Sequence, residues 1–295
     1  MMNLRHGIEY LFVLLFFGLV KITPLSFTTS LASLLGKLAF LLTPKRVNIA
    51  LDNLSSVFPN RTPTELRQVV AGLYRNLAGN AVDVVKPVRT VKMVTVSEKN
   101  RHRLEEIRKI TSSGKPLIFV TGHYGAWEVL GQYLATQFAG IHFLALEQKN
   151  RYVDRLLNRK RISLGGKIIP SQRAPRLLSH LFRGGNIFLF AGDQDGGTNG
   201  IIVDFLGRPS SYARGLALYS YHYDAPVVPL FLKRENPGYT LDIAATIKPD
   251  LSADKKTEIK RIIACYSEAL AQKVRECPSQ WLWTHRRWKS TRRQL

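Results

Sequence analysis

Four short runs of this chain are almost wholly apolar: Pro116–Thr121 (PLIFVT), Ile141–Leu146, Asn186–Ala191 (NIFLFA) and Pro226–Leu232 (PVVPLFL). Runs of that length without alternation suit strands buried on both faces. Helix-length segments fall between them, at Ala126–Phe138, Val153–Leu164, Ala174–Phe182 and Gly215–Tyr223. Strand–helix alternation with short connections specifies an α/β fold, a mixed and mostly parallel sheet flanked by helices. Tyr239–Ile247 adds a strand, antiparallel to its predecessor across the Asn236–Gly238 turn. Asp254–Arg275 is an amphipathic helix with Ile259, Ile262, Ile263, Tyr266, Leu270 and Val274 on one side. Upstream, a helix from Glu65 to about Val85 is expected behind a Thr64 cap, and Pro44–Pro63 reads as a loop-rich connector. The 295 residues suffice for one such domain with a small appendage.

The appendage lies at the N-terminus. From Tyr10 to Val20 the chain reads YLFVLLFFGLV, and apolar residues dominate from Leu4 to Leu42. A bilayer crossing takes about 20 mostly apolar residues. Gly7–Leu25 reaches that length with Glu9 and Lys21 near its ends, Pro24 breaks the helix, and Leu25–Leu42 forms a weaker apolar segment. The expectation is a membrane anchor over residues 1–43, with a spanning or deeply embedded helix followed by an interfacial one, and a catalytic domain over residues 44–295. A secretory signal peptide is the competing reading, but no small-residue cleavage site closes the apolar run. Arg5 precedes the first segment, whereas Lys37, Lys45, Arg46 and the basic remainder follow it. Because positive loops stay cytoplasmic, this places the body on the cytoplasmic face of the membrane.

Forty-three Lys and Arg against 21 Asp and Glu leave a net charge of +22, which implies an anionic partner. The chain lacks a base-reading motif and interleaved stacking aromatics outside its tail, so an anionic membrane and its lipids fit better than nucleic acid. The tail, WLWTHRRWKSTRR, allows two readings: a membrane-interface segment, or a core-packed element using Trp281, Trp283 and Trp288. Cys265 and Cys277 are spaced for neither a zinc site nor a redox motif and read as reduced cytosolic thiols.

In open α/β sheets, ligands bind beyond the carboxyl ends of strands. Two blocks occupy such positions: Thr121-Gly122-His123-Tyr124-Gly125-Ala126-Trp127-Glu128 and Gly192-Asp193-Gln194-Asp195-Gly196-Gly197. His123 and Glu128 would splay about 140° apart on one continuous helix. They can pair only if His123 lies in the loop and Glu128 in the first helical turn, with Gly125 permitting the bend. Glu128 could then hold one imidazole nitrogen while the other takes a proton from an alcohol. On spacing alone, a loop histidine with a helix-capping glutamate is the simpler reading. Asp193, Gln194 and Asp195 should converge on the same cleft, to orient basic residues or hydrogen-bond a sugar acceptor; an acidic turn is the plain alternative. Two carboxylates one residue apart without a histidine make a poor transition-metal set, so no metal is expected. Arg159, Lys160, Arg161, Arg173, Arg176 and Arg214 supply cations near the expected cleft, suited to phosphate.

GHYGAWE resembles the H-x-x-x-x-D/E signature of the lysophospholipid acyltransferase superfamily. Further blocks follow in the order seen in the bacterial lipid A late acyltransferases. They are the apolar N-terminus, Asn53-Leu54 and Phe58-Pro59, Lys149-Asn150 with Asp154-Arg155-Leu156, Arg161 before Gly165-Gly166, the Gly192 block, Val203-Asp204-Phe205-Leu206-Gly207, Val227-Val228-Pro229, and Gln280-Trp281-Leu282-Trp283 with Arg286-Arg287. The resemblance spans nearly the whole chain. It implies acyl transfer from an acyl carrier protein thioester or acyl-CoA to a hydroxyl of an anionic lipid A precursor. His123 would be the general base, and neither a cofactor nor an acyl-enzyme would be needed. It also implies an inner-membrane location. A phosphatidylinositol mannoside acyltransferase shares the motif and is the near alternative; a non-catalytic basic protein binding membrane or nucleic acid is the distant one. Where the family often has Arg-Pro after the second strand, this chain has Leu146-Glu147-Gln148, leaving that arginine's role to Arg151 or Arg161, or unfilled.

Overall fold

The computed structural model describes residues 4–172 and 174–291. Arg173, Arg292 and Arg293, and the side chain of Arg176, lie outside the described residues.

Seven strands form the main sheet: β1 (Val94–Val96), β2 (Leu117–Thr121), β3 (His142–Ala145), β4 (Lys167–Pro170), β5 (Ile187–Ala191), β8 (Val227–Arg234) and β9 (Tyr239–Ile243). Their order is β1-β9-β8-β2-β5-β3-β4. Every neighbouring pair is parallel apart from β8 and β9, the expected antiparallel pair joined through Asn236–Gly238. A separate antiparallel hairpin, β6 (Ile201–Phe205) with β7 (Arg208–Tyr212), stands beside it. The class is therefore the mixed, mostly parallel α/β fold read from the apolar runs.

Central strand β2 is buried at all five positions, and its pleat divides them between two cores. Ile118 and Val120 pack in the core that contains Ile262, Tyr266 and Leu270 of α11 (Lys255–Glu276). Leu117 and Phe119 pack in the opposite core, with Val129, Leu130 and Leu134 of α7 (Trp127–Gln137). Both cores must be filled by different helices, which is why this strand shows no alternation.

The remaining helices are α3 (Pro44–Val57), α4 (Pro63–Asp83), the single turn α5 (Pro87–Thr90), α6 (Glu98–Ser112), α8 (Arg151–Arg161), α9 (Ala174–Arg183) and α10 (Gly215–Tyr223). Pro44–Pro63 is thus mostly helix rather than connector. Pro44 occupies its first turn, and Val47, Ala50 and Leu54 are buried along one face at helical spacing. Helix α4 begins earlier than expected, because Thr62 and not Thr64 is its cap. Thr62 N–H donates to Glu65 Oε2 at 2.7 Å and Glu65 N–H to Thr62 Oγ1 at 3.3 Å, a reciprocal capping box. Strand β1, helix α6, strand β4 and the β6–β7 hairpin have patterns too short or too polar to be read from sequence.

At the N-terminus, α1 (Leu4–Ile22) and α2 (Leu25–Leu42) break at Pro24 as expected. No single helix among the described residues is long and apolar enough to cross a membrane; one bent pair, Ser26–Leu42 with Pro44–Val57 at 93°, passes by length and composition together. Both helices dock on the body. Phe17, Val20 and Ala32 form a small core with Val82, Val84 and Val85, and Asn150 Nδ2 donates to the His6 carbonyl at 2.8 Å. Their other faces carry exposed apolar residues, among them Leu11, Phe12, Leu15, Ile22, Phe27, Leu41 and Leu42.

The tryptophans of the tail are core, not interface. Trp281, Trp283, Trp288 and Arg287 are each at most 2% exposed. Arg287 lies 4.1 Å from the Tyr212 ring centroid and donates to the Ser211 carbonyl at 2.5 Å. The indoles complete the core against Phe205 and Phe58, so they are withheld from any lipid.

Candidate active site

Strands β2 and β5 are paired in parallel with Thr121 opposite Ala191, and the ladder runs one residue on, where Gly192 N–H donates to the Thr121 carbonyl. His123 and Asp193 each stand two residues past this matched pair and so arrive side by side. The His123 ring Nδ1 lies 2.7 Å from Asp193 Oδ1, and its backbone N–H donates to Oδ2 at 2.7 Å. Trp281 Nε1–H donates to the same Oδ2 at 2.9 Å. Gly122 allows this approach, since a Cβ there would stand 2.9 Å from Leu270 Cδ1 and 3.2 Å from Asp193 Oδ2.

Asp193, not Glu128, therefore holds the imidazole. Burial opposes charge on Asp193, yet the His123 imidazole and the hydrogen bonds from His123 and Trp281 prevail and hold its carboxyl at about 2. The same pair acts on His123: burial favours its neutral form, and the Asp193 charge and hydrogen bond outweigh this, raising its pKa above the usual value of 6.5. With Nδ1 committed to Asp193, Nε2 is the nitrogen left to exchange a proton. The Trp127 ring meets the imidazole edge-on, with the ring centroids 5.4 Å apart.

Glu128 does sit in the first turn of α7, but it reaches across to α8. Arg161 binds it through two hydrogen bonds, Nη2 to Oε1 at 2.6 Å and Nε to Oε2 at 3.0 Å. Of the two arginines that could stand in for the missing Arg-Pro, Arg161 lines the cavity, whereas Arg151 is exposed on α8. Arg159 is exposed too, in a stripe with Arg151 and Arg155, and Arg214 is exposed at the start of α10. Neither Arg159 nor Arg214 lines the cavity that holds His123.

That cavity, of about 280 Å³, is lined by His123, Trp127, Glu128, Arg161 and Gln194 on its polar side. Phe143, Leu144, Leu146 and Leu189 give it an apolar wall, and Gln132 and Gln148 also line it. Asp195 is absent from this lining. Its carboxylate accepts from Gly197 N–H and Ser290 N–H, each at 2.8 Å, so it ties the tail to the strand end rather than facing an acceptor. A larger cavity, of about 590 Å³, opens between α2, α4 and the β8–β9 turn. Its lining includes none of His123, Glu128 and Asp193, so its size says nothing about the chemistry.

The backbone that carries His123 is clamped from three sides. Gly125 has φ +58°, and a Cβ there would stand 2.0 Å from the Leu232 carbonyl oxygen, so only glycine makes the bend. Buried Asn76 and Asn80, one turn apart on α4, donate to the Gly125 carbonyl at 3.0 and 2.8 Å. Gly125 N–H donates to the Gln280 carbonyl and Leu282 N–H to that of His123. These positioning residues were not singled out from sequence; two buried asparagines at i and i+4 on an otherwise apolar helix face were the available signal. No group of three or more potential metal ligands occurs among the described residues.

A histidine oriented by a buried carboxylate, at a cavity on the carboxyl edge of a parallel sheet, has the form of an α/β transferase site. The family comparison agrees: the model of the bacterial lipid A biosynthesis acyltransferases matches residues 1–290, and the chain belongs to that family. A lipid A biosynthesis acyltransferase from Haemophilus influenzae is 25% identical over 238 residues, which cover 79% of this chain and 73% of the relative. The protein is an acyltransferase of the lipid A late acyltransferase type.

Proposed function

We propose that the protein transfers a fatty acyl chain from the thioester of an acyl carrier protein, or of coenzyme A, to a hydroxyl of a lipid A precursor. The observation that carries this reading is the Asp193-held His123 opening on an apolar cavity. His123 Nε2 takes the proton of the acceptor hydroxyl as its oxygen attacks the thioester carbonyl. The tetrahedral intermediate collapses by breaking the C–S bond, and the imidazolium returns the proton to the departing thiolate. Asp193 fixes the tautomer and stabilises the imidazolium without itself becoming protonated. Arg161, fixed by Glu128, supplies positive charge for the oxyanion. Glu128 thus takes part by positioning Arg161, in place of the His–Glu pairing read from sequence. No cofactor enters these steps.

The acyl chain lies along Phe143, Leu144 and Leu189. The exposed apolar faces of α1 and α2 rest in the cytoplasmic leaflet of the inner membrane, and the +22 charge attracts both anionic lipid and a phosphorylated acceptor. Two measurements test the reading. Mass spectrometry of lipid A from cells with and without the protein should show one acyl chain lost. Purified His123→Ala should lose about 10²–10⁴-fold in turnover while still unfolding cooperatively on heating. Near-normal turnover by that variant would remove His123 from the chemistry.

A further inference from the structure

Helix α7 presents Glu128, Gly131 and Gln132 to the catalytic cavity, the i, i+3 and i+4 positions of one face. Gln132 is the anomaly among them. It is 1% exposed, and neither its Oε1 nor its Nε2 has a hydrogen-bond partner among the described residues. The wall next to it is apolar: Leu189 and Phe143 stand 3.7 and 3.8 Å from where a Cβ on the adjacent Gly131 would be. A buried amide left without partners is costly, and the great majority of such groups are satisfied.

Resting on the reading that this cavity holds the donor's acyl chain, we propose that Gln132 selects an acyl donor carrying a hydroxyl near its carboxyl end. An alkyl chain lying along this wall would leave both amide atoms unmatched. A hydroxyl donates to Oε1 and accepts from Nε2, so one group satisfies both. Gln132 sits one turn, about 6 Å along the α7 axis, beyond Glu128. Because His123 and Gln132 line one cavity, a chain whose carbonyl is at His123 runs its early carbons, where a 2-hydroxy or 3-hydroxy substituent would lie, along this wall. Specificity of this kind is steep, because a site built to bond a hydroxyl rejects the analogue lacking it more strongly than an apolar pocket rejects an added hydroxyl.

The test uses full-length enzyme, one lipid A precursor as acceptor, and three acyl carrier protein thioesters of one chain length: unsubstituted, 2-hydroxy and 3-hydroxy. The wild type should use one of the hydroxylated donors with a kcat/KM at least about tenfold above that of the unsubstituted one. Gln132→Leu and Gln132→Met, close in volume and apolar, should each erase that preference. A wild type that favours the unsubstituted donor overturns the proposal without recourse to any variant. So does a preference that persists in whichever variant folds, or a loss of rate that is equal for all three donors. Failure of the wild type to use any of the three chains, presented on acyl carrier protein or on coenzyme A, would instead sink the acyl-transfer reading itself.

Discussion

At the scale of single residues, the site depends on one carboxylate. Asp193 accepts three hydrogen bonds while 2% exposed, and it raises the pKa of His123 against the effect of burial. A general base must be neutral to work, so kcat/KM should rise with pH through the His123 pKa, on a limb above the usual 6.5. In Asp193→Asn the raising influence is gone and burial remains, which favours the neutral ring. The limb should therefore move to lower pH, while the plateau falls by about 10⁴-fold because the tautomer is no longer held. A pH–rate profile of the two proteins measures both changes. A limb that stays in place would mean that Asp193 does not govern the imidazole. The role was hard to read from sequence because Asp193 lies 70 positions from His123, whereas Glu128 lies five away. Proximity in the chain favours Glu128, although the Asp193 block also follows a strand end that faces the same cleft.

At the scale of elements, α1 and α2 are amphipathic with respect to the whole protein. Their inner faces pack on α4 and α8, and Gly36 sits so tightly against the Tyr74 and Arg75 backbone that a Cβ would stand 2.8 Å from the Tyr74 carbonyl oxygen. Their outer faces are apolar and exposed, which on a soluble surface would be a patch in need of a partner. Apolar burial is insensitive to screening, whereas charge attraction is not. Full-length protein in isolated membranes should accordingly stay bound in about 1 M salt and be released by detergent. Release by salt alone would show that these helices rest on the protein's own surface and not in lipid. The apolar character of this segment was plain in the sequence. Its docking on the catalytic body was not, since a helix with apolar residues on most sides does not reveal which side faces protein.

The whole molecule is closed by Gln280 and the tryptophans that follow it. Gln280 bonds both the N–H and the carbonyl of Arg234, Trp281 reaches Asp193, and three indoles fill the core. Truncating a buried tryptophan to alanine costs about 3–5 kcal/mol. Losing three would consume the 5–15 kcal/mol by which a typical domain is stable. A chain ending at Ser279 should show no cooperative thermal transition, whereas Trp281→Phe should melt near the wild-type temperature and lose turnover through the freed Asp193 oxygen. A folded, active truncation would refute this account of the tail.

By itself, the sequence determined the class of fold, because runs of buried β residues admit few arrangements other than a covered parallel sheet. It also determined the position of His123 just past a strand end, and the bend at Gly125, because these follow from local pattern and a few neighbouring residues. The partner of each charge was decided only in the tertiary structure. Strand register set Asp193 beside His123, the α7–α8 packing gave Glu128 to Arg161, and core volume drew the tryptophan tail inward. Each of these is a contact between segments distant in the chain, selected by burial and hydrogen bonding across the fold, and such contacts leave no periodicity along the sequence.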